Sequence, residues 1–500
     1  MVVALLRIIH TGIQDERLLP QKGNPVTRFF EKVFLKAGRF TTQWSRLDFD
    51  TIPTFGSSAT ITLPREGHLI TRLYLVTTMP DIAGPQLLAQ KVAGFVGPTY
   101  GWTNSLGHAL INTATIDIGG ARVEQITGQM LEVLDEFQTP LEKVTSVNNL
   151  IQRYDNGFNS TSIGFAQRPT VVTTPLPFWF SKGDPGVALP IDAINSDAVR
   201  LTVTFAPLNS LYVCSNQVDL SKVKTDVAGQ AYMPLVGATF YKTGSTPVYG
   251  LGNVDAIPGI TIPTLTLGDT YIMAEYVYLD KPEANKFRIS DIQYPIVQHY
   301  AIDPHDSYGQ PKMTVLLRIP NPCRDLYFFA QRYEAPWYNA PFLATRDLSG
   351  FDCKTAPWWP DASGLNALTL GELVPAFSYR ESEPLQQVGL IYEGKLIRYS
   401  NTPSVFRSLI PSYEQRKSPW VNRYYYNMTF GLQNGFTPPS IVTGEANLDK
   451  IERLELQIDF APFRGSLNPT NVPRYRVFVF AETYSILRIY GGRAGILFGY

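Results

Sequence analysis

The clearest structural signal in the sequence is the stretch Arg453-Leu454-Glu455-Leu456-Gln457-Ile458-Asp459-Phe460, in which apolar and polar residues alternate without interruption. Successive side chains of a β-strand point to opposite faces, so a strand with one buried face shows this pattern. The same alternation occurs in Val199-Arg200-Leu201-Thr202-Val203-Thr204-Phe205. Both stretches therefore predict half-buried strands whose apolar residues face a core.

Other stretches are apolar on both faces, and they predict strands that are covered on both sides or buried in an interface. They are residues 70–76, 271–279, 315–319 and 475–489. The chain also contains 38 Gly, 38 Pro, 27 Tyr and 28 Phe, a composition typical of many short strands joined by turns. The sequence therefore predicts an all-β fold.

One segment, about residues 121–155, departs from this pattern and predicts a helical insertion. Its apolar residues recur at spacings of three and four, as on one face of a helix: Val123, Ile126, Met130, Leu134 and Phe137. A second helix is predicted directly after it, because Thr139, Pro140 and Glu142 match a capping box with proline at the first helical position. Its inward face would be formed by Leu141, Val144, Val147 and Ile151.

The charged stretch 280–288 lies between two strand-rich halves, and Pro282 cannot pair in a central strand. We therefore interpret residues 281–288 as a connector. The predicted organisation is an N-terminal arm at 1–25, a first domain at 26–280, the connector, and a second domain at 289–500. Each domain is expected to contain one long irregular loop, at 206–268 and 331–375, of the kind that carries function or contacts.

Length and charge exclude several classes of protein. The chain has 500 residues, of which 43 are basic and 43 acidic, so its formal net charge is +0. Intrinsic disorder requires low hydrophobicity and high charge, whereas 44% of these residues are hydrophobic and 17% are charged. Electrostatic binding of nucleic acid requires a basic surplus, which is absent here. A chain of this length is expected to form more than one domain.

Cysteine usage and hydropathy predict a soluble chain in a reducing compartment. Cys214, Cys323 and Cys353 are too few and too scattered for a disulfide framework. The apolar N-terminus is interrupted by Arg7 and has no small-residue cleavage site, so it does not predict a signal peptide. The longest uncharged run, residues 92–116, contains proline, asparagine and several glycines and would make a poor membrane helix.

The sequence contains none of the common signatures of phosphate-binding loops, zinc proteases, dithiol redox sites or serine hydrolases. Asp303-Pro304-His305-Asp306 has metal-ligand chemistry, but a turn is the better interpretation. Glu381 and Glu383 have strand spacing, and we interpret them as a solvated strand or loop end before Pro384 rather than as a catalytic pair. We therefore predict no enzyme, no catalytic residue, no cofactor and no metal. The histidines are scattered singly: His10, His68, His108, His299 and His305.

Three shorter features have a structural interpretation. The loop that contains Trp337, Trp358 and Trp359 could stack on sugars, but packing on itself or at a subunit contact is favoured. Arg416-Lys417 is interpreted as a solvated loop, and residues 491–495, Gly-Gly-Arg-Ala-Gly, as a glycine turn at a strand end. The sequons at Asn159 and Asn427 say little about glycosylation without a secretory route.

Several stretches of the sequence match one family in its own order. They are Gly12–Asp15, Gly23–Phe30 with Val33-Phe34 and Arg39-Phe40, Leu176–Phe180, Gly186–Pro190, Glu275–Asp280, Asn321-Pro322 with Asp325–Phe328, Asn447–Ile451, and Tyr484–Ile489 with Gly491-Gly492 and Ala494-Gly495. Their ordered combination covers nearly the whole chain. In this combination the sequence resembles the double jelly-roll major capsid proteins of nucleocytoplasmic large DNA viruses.

The resemblance implies a specific fold and a structural role. Two eight-stranded antiparallel jelly rolls in one chain would carry the helical insertion and the long loops. Three chains would form a trimeric, pseudo-hexagonal capsomer that tiles an icosahedral shell. The long loops would form the outer surface and the contacts around the threefold axis.

The resemblance also implies partners and a location. The expected partners are two further copies of the chain, neighbouring capsomers, and minor capsid and penton proteins. The N-terminal arm would face the inside of the shell, where it contacts minor capsid proteins or an internal membrane. No direct contact with nucleic acid is expected, and the chain would lie in the virion capsid after assembly in the host cytoplasm.

Two alternatives remain open at the level of the sequence. The first is a carbohydrate-binding or carbohydrate-active β-sandwich that uses the tryptophan loop as a platform. The second is a minor capsid protein of the same lineage, although penton proteins of that lineage usually have one jelly roll and this chain is long enough for two.

Overall fold

The computed structural model describes residues 40–82, 99–153, 170–182, 185–215, 266–333, 335–338, 341–346, 383–400, 402–419, 423–438, 441–462 and 468–497. The expected N-terminal arm lies outside these residues, as do most of the two expected long loops. The domain boundaries inferred from the sequence therefore remain a proposal.

Two four-stranded antiparallel sheets, in the orders β1-β10-β3-β7 and β2-β8-β5-β6, form what we call the first jelly roll, together with a short pair β4-β9. Its strands are β1 (Phe40–Asp48), β2 (Ser58–Thr62), β3 (Leu69–Met79), β4 (Thr99–Trp102), β5 (Ile111–Ile118), β6 (Ala121–Thr127), β7 (Thr170–Pro175), β8 (Val199–Phe205), β9 (Tyr212–Ser215) and β10 (Thr270–Leu279).

The second jelly roll is built in the same way, from the sheets β11-β19-β13-β16 and β12-β18-β14-β15, with β17 and β20 as short additions to the first of these. Its strands are β11 (Ile292–Asp306), β12 (Lys312–Leu317), β13 (Pro322–Arg332), β14 (Leu385–Tyr392), β15 (Lys395–Ser400), β16 (Tyr425–Thr429), β17 (Ala446–Asn447), β18 (Leu454–Phe460), β19 (Tyr475–Tyr490) and β20 (Arg493–Ile496).

The two halves are structural repeats of each other. If the eight main strands of each half are numbered along the chain, both halves have one sheet in the order 1-8-3-6 and the other in the order 2-7-4-5. This order is that of a jelly roll, so the predicted all-β double jelly roll is confirmed. The buried apolar core is continuous from one half into the other.

The alternating stretches form the predicted strands. β8 spans Val199–Phe205, and Val199, Leu201, Val203 and Phe205 are all buried. β18 begins at Leu454 and buries its four apolar residues in the same way. These strands form where predicted because strict alternation allows one face to enter the core while polar residues cover the other.

The strands that are apolar on both faces behave less uniformly. β19 is buried along both faces over most of its length, as predicted for residues 475–489. Residues 315–319 are not covered on both sides within the chain, because β12 ends at Leu317 and Leu316 is exposed on the outer face of its sheet. Burial of this run in an interface stays a prediction. A short apolar run does not by itself show that both faces of a strand are covered.

The α-helices among the described residues are α1 (Leu106–Ala109), α2 (Gly128–Gln138), α3 (Val144–Ile151), α4 (Lys281–Ile289) and α5 (Ile410–Glu414), and a π-helical turn (Val405–Leu409) precedes α5. α4 occupies the predicted connector between the jelly rolls. The Asp280 side chain caps it by accepting a hydrogen bond from the Lys281 N–H, and Lys286 and Arg288 lie in its last turn, where cations are favourable. No helix in the described part of the chain is both long and apolar enough to cross a membrane.

The first predicted helix begins later than the sequence suggested. Residues 121–127 form β6, and α2 starts at Gly128. A β-bulge explains the error: Ile116 pairs with Glu124 and Asp117 pairs with Arg122, so Val123 is the additional residue. The bulge breaks the alternation, and the buried residues Val123 and Ile126 acquire the spacing of three that resembles a helix.

The predicted capping box is also wrong. The Thr139 hydroxyl donates to the Asp135 carboxylate instead of capping a following helix, and a 3-10 turn (Leu141–Lys143) precedes α3. Leu141 is exposed rather than inward-facing, although Ile151 is buried as predicted.

Gly128 at the start of α2 is closely surrounded by backbone. A Cβ atom at this position would lie 2.3 Å from the Ile111 carbonyl oxygen and 2.4 Å from that of His108. We expect Gly128→Ala to lower the free energy of unfolding by about 1–3 kcal/mol, because the backbone must shift. Gly495→Ala in β20 is the matched control, since a Cβ atom there would have no neighbour within 4 Å, and urea unfolding should distinguish the two variants. Equal midpoints would contradict this packing.

Candidate functional site: the buried junction between the jelly rolls

The two jelly rolls meet where α2 of the first packs on the outer face of the sheet β11-β19-β13-β16 of the second. The Phe137 ring lies 5.2 Å from the Tyr327 ring, and the Lys417 N–H donates to the Phe137 carbonyl at 3.2 Å. The Gln138 side-chain amide donates to Glu482 at 2.9 Å. We call this contact region the junction.

One ionic cluster of the junction is centred on two acidic residues of α2. Arg423, just before β16, donates to Glu132 at 3.0 Å and also to Glu136. The Lys417 ammonium lies 3.2 Å from Glu136. Arg153 bridges to Glu132 from the first jelly roll. The acidic helix α2 of the first jelly roll therefore binds cationic side chains from both jelly rolls.

The second ionic cluster is centred on Glu482 of β19. Lys182 of the first jelly roll lies 2.5 Å from its carboxylate, and His299 Nε2 lies 3.2 Å from the same oxygen. The other ring nitrogen of His299 contacts Glu124 of β6, which also accepts a hydrogen bond from the Trp179 N–H at 3.1 Å. A single buried histidine thus links carboxylates of both jelly rolls.

Four carboxylates of the junction are held in the ionised form: Glu132, Asp135, Glu136 and Glu482. Burial opposes the ionisation of Glu132, but the charge of Arg153, the hydrogen bond with His108 and the charge of Arg423 outweigh it and hold the pKa of Glu132 far below its usual value. Burial also opposes ionisation of Glu482, where Lys182 and His299 lower the pKa. Two more carboxyls of α2 have lowered pKa values in spite of burial, mainly because of Arg153 for Asp135 and Arg423 for Glu136.

Asp325 of β13 behaves differently from the other junction carboxyls. Burial, and then the nearby Glu482 carboxylate, raise the pKa of Asp325 to about 6. The side chain is nevertheless well satisfied, since it accepts hydrogen bonds from Thr429 at 2.6 Å and from Asn434 at 2.8 Å. Asp325 is therefore expected to take up a proton before Glu482 and the three acidic residues of α2 as the pH falls.

The junction has a mechanical consequence. Its charged groups are buried and engaged by opposite charges, so separating the jelly rolls would leave several charges without partners. The described residues contain no group of three or more His, Cys, Asp or Glu side chains that could hold a metal ion. The arrangement fixes two similar modules to each other.

The interpretation of Asp303-Pro304-His305-Asp306 as a turn is wrong. These residues form the end of β11, with a register shift between Ile302 and His305. Pro304 is tolerated there because a bulge does not require its missing N–H. Asp306 pairs with Arg474 at 2.6 Å, and this hydrogen bond lowers the pKa of Asp306.

The sequence predicted that Glu383 and Lys417 are solvated, and this prediction is wrong, because both side chains are buried. Glu383 is buried, accepts a hydrogen bond from Tyr426 at 3.0 Å and lies 3.3 Å from Arg407. Lys417 is buried in the junction, whereas Arg416 is exposed as predicted. Glu381 lies outside the described residues.

The remaining candidate residues that the structure describes have roles in packing or in turns. Gly491 and Gly492 form the predicted turn between β19 and β20, with φ values of +59° and +78°. Cys323 is a buried free thiol, as expected of a small apolar side chain. Asn427 is fully buried and donates to Asp325, which leaves no room for a glycan on the folded chain. The positions outside the described residues are Asn159, Cys353, Trp358 and Trp359.

Sequence reasoning missed the junction, because its charged residues are far apart along the chain. His108 and His299 appear isolated in the sequence, yet each contacts a buried carboxylate. One signal was available in the sequence. Glu132 and Glu136 are four residues apart within the apolar helix pattern, so they share one face of the helix and lie next to its packed residues.

Comparisons with known proteins agree with this architecture. Residues 28–243 match the family model described as major capsid protein N-terminus. The chain is 29% identical to the major capsid protein of Pyramimonas orientalis virus over 208 residues, which cover 40% of this chain and 46% of that protein. It is 21% identical over 488 residues to the major capsid protein of Frog virus 3 (isolate Goorha), covering 95% of this chain and 93% of that one.

A solved structure shares the fold along nearly the whole chain. The crystal structure of PBCV-1 VP54, which was fitted into a reconstruction of the virophage Sputnik, has a TM-score of 0.65 at 16% identity and covers 95% of this chain and 100% of that one. With several curated relatives the match spans about half of their length, between 39% and 59%. The resemblance predicted from the sequence is confirmed: the chain is similar in sequence and in fold to the double jelly-roll major capsid proteins of nucleocytoplasmic large DNA viruses.

Proposed function

We propose that this chain is a major capsid protein, a structural subunit that assembles as a homotrimer and tiles an icosahedral virus shell. The observation that carries the proposal is the repeat: two jelly rolls with the same strand order are joined through one buried junction. Three such chains place six similar modules in a ring, and the ring has the near-hexagonal outline needed to tile a surface. The relatives named as major capsid proteins support the same role.

The overall charge of the chain suits dense packing. A subunit that is surrounded by many copies of itself cannot carry a large net charge without repulsion, and the formal net charge here is +0. Neighbouring capsomers, minor capsid proteins and penton proteins are the proposed partners. We place the chain in the virion capsid after assembly in the host cytoplasm, with no direct contact to nucleic acid.

The N-terminal arm at residues 1–25 is proposed to face the interior of the shell. Its apolar start, Met1–Leu6, is suited to contact minor capsid proteins or an internal membrane. The role of the whole chain is proposed to be structural, without catalysis. The carbohydrate-binding and minor-capsid alternatives gain no support from the major capsid proteins among the relatives.

The purified chain is expected to be a trimer. Three copies of a 55.9 kDa chain give 167.7 kDa, which native mass spectrometry measures directly. The expected cause is burial of apolar surface between copies, at areas typical of permanent interfaces. A stable monomer at the concentrations at which shells assemble would contradict the proposal.

A further inference from the structure

Two arginines and two tyrosines meet at one end of the second jelly roll. Arg474 and Arg476 flank Tyr475, the first residue of β19, and Tyr333 directly follows β13. The guanidinium carbon of Arg474 lies 3.8 Å from the centre of the Tyr333 ring, and that of Arg476 lies 4.8 Å from the same centre. Tyr308, in the turn after β11, has its ring centre 5.2 Å from the Arg474 guanidinium. We call Tyr308, Tyr333, Arg474 and Arg476 the rim cluster.

The two arginines of the rim cluster differ in their partners. Arg474 donates two hydrogen bonds to the Asp306 carboxylate, from Nε at 2.9 Å and from a terminal nitrogen at 2.6 Å. Arg476 is half-buried, and among the described residues it has neither a hydrogen bond from its guanidinium nor a carboxylate within 4 Å. Its planar fork of N–H donors is therefore available to an acceptor from outside the chain. Two guanidinium groups and one carboxylate leave an excess of one positive charge here.

Tyr308 is held out into solvent in an unfavourable backbone conformation. Its side chain is 74% exposed, and its φ of +51° lies in the left-handed region that bulky residues rarely adopt. It is the only aromatic residue among the described non-glycine residues with positive φ. The turn is fixed by hydrogen bonds at 2.8 Å, from the Tyr308 N–H to the Asp306 carboxylate and from the Tyr475 N–H to the Ser307 hydroxyl. Backbone strain of this kind is concentrated at sites that bind ligands.

The rim cluster presents two kinds of chemistry side by side. The guanidinium fork of Arg476 matches the paired oxygens of a carboxylate or sulfate group. The exposed ring of Tyr308 suits a flat, weakly polar surface, such as the C–H face of a sugar ring. A simple anion would use only the arginine and a neutral sugar only the tyrosine, whereas an acidic sugar uses both.

We propose that the rim cluster binds an acidic saccharide, with a carboxylate or sulfate group on Arg476 and a sugar ring on Tyr308. Arg474 is a positioning residue, because it contacts both tyrosine rings and is held by Asp306. All of these residues belong to one chain, so binding does not depend on assembly.

The position of the rim cluster indicates where such a saccharide would be met. Tyr333 lies where the expected long loop at 331–375 leaves the second jelly roll. β11 runs for 15 residues from the connector helix α4 to Asp306, so the cluster is roughly 50 Å from α4 along the strand. The resemblance places the long loops on the outer surface of the shell. A role in binding polysaccharides outside the virion rests on the proposed capsid function.

Binding is measured by titrating fluorescently labelled hexasaccharides with the purified full-length chain. Chondroitin sulfate carries sulfate and carboxylate groups, unsulfated chondroitin carries carboxylates alone, and maltohexaose is neutral. The proposal predicts saturable binding of at least one acidic hexasaccharide and no binding of maltohexaose at the same concentrations. Comparison of the two acidic probes shows which anionic group is bound.

Substitution of the free guanidinium tests the anion contact. Arg476→Gln should weaken binding of the acidic hexasaccharide roughly tenfold to a hundredfold, because hydrogen bonds to a charged group are lost. Arg488→Gln is the matched control at the other end of β19. Arg488 also faces a tyrosine, with its guanidinium 5.6 Å from the centre of the Tyr490 ring, but it is paired with Asp291 at 3.1 Å. This control should bind like the parent chain.

Tyr308→Gly separates a role in binding from a role in packing. Glycine adopts a positive φ without strain, so the urea midpoint should stay close to that of the parent chain, while the affinity falls roughly tenfold. A lower urea midpoint with unchanged affinity would show that the ring only packs on Arg474, and it would overturn the proposal. Circular dichroism spectra that match the parent chain show that each variant folds.

The remaining outcomes separate this inference from the proposed function. If neither acidic hexasaccharide binds, or if Arg476→Gln binds like the parent chain, the site is wrong. Equal binding of a hexaglutamate peptide would show a response to charge alone and would overturn the saccharide assignment. In each of these cases a chain that is a trimer keeps its capsid function. A monomer that binds the acidic hexasaccharide keeps the site and overturns the capsid function.

Discussion

Replacing Glu482 by alanine should lower the free energy of unfolding by about 3–5 kcal/mol, the typical effect of removing one partner from a buried ion pair. The Glu482 carboxylate binds Lys182 at 2.5 Å, Gln138 at 2.9 Å and His299 at 3.2 Å. Without it, the Lys182 ammonium is left buried at the junction with no opposite charge at this position. Urea unfolding of the purified chain measures the difference.

An exposed ion pair provides the matched control for this variant. Lys312 and Asp459 lie 2.9 Å apart at the surface of the second jelly roll, and Lys312 is largely exposed. Asp459→Ala should change the free energy of unfolding by only about 0–1 kcal/mol, because solvent screens exposed pairs. If Glu482→Ala has no larger effect than Asp459→Ala, the junction does not hold the jelly rolls together as described.

Lowering the pH below about 4.3, the ordinary pKa of glutamate, should destabilise the chain steeply. Glu132, Asp135, Glu136 and Glu482 have pKa values in the folded chain below those of an unfolded chain. In this range of pH the unfolded chain therefore binds more protons than the folded chain does. The stabilisation is complete above the unfolded pKa values and is lost as the pH falls through the folded ones, by up to about 1.4 kcal/mol per pH unit for each group.

The slope of the free energy of unfolding against pH, rather than its value at one pH, identifies the carboxyls that cause the acid destabilisation. Glu132→Gln removes one titrating carboxyl, so the free energy of unfolding should fall less steeply with decreasing pH, by up to about 1.4 kcal/mol per unit. The double variant Glu132→Gln/Glu136→Gln should lose about twice as much of the slope. Urea unfolding in a series of buffers between pH 5 and pH 2 measures these slopes, and an unchanged slope in the double variant would show that the α2 carboxylates are not responsible.

The sequence predicted the fold best where a structural rule acts locally. β8 and β18 form where predicted because alternation along seven residues is sufficient to divide a buried from an exposed face. The same rule failed in β6, where the bulge at Val123 gave strand residues the spacing of a helix. A bulge depends on the partner strand, so the sequence of one strand alone could not reveal it.

The junction was beyond sequence reasoning for a different reason. Glu132 and Arg423 are 291 residues apart, and Lys182 and Glu482 are 300 residues apart. Such residues meet only after both jelly rolls have formed. Lys417 illustrates the consequence: read with Arg416 it resembles a solvated basic pair, yet it is buried against Glu136 of the other jelly roll. The strand order of the two halves, invisible as a sequence repeat, likewise became evident only in the structure.

Electron microscopy of the purified full-length chain tests the central claim most directly. If three copies each contribute two jelly rolls to a ring, class averages viewed along the symmetry axis should show a particle with threefold symmetry, six modules and a near-hexagonal outline. The six modules should be alternating first and second jelly rolls, related in pairs by the junction. Particles that contain only two modules, or rings with a different number of modules, would contradict the account.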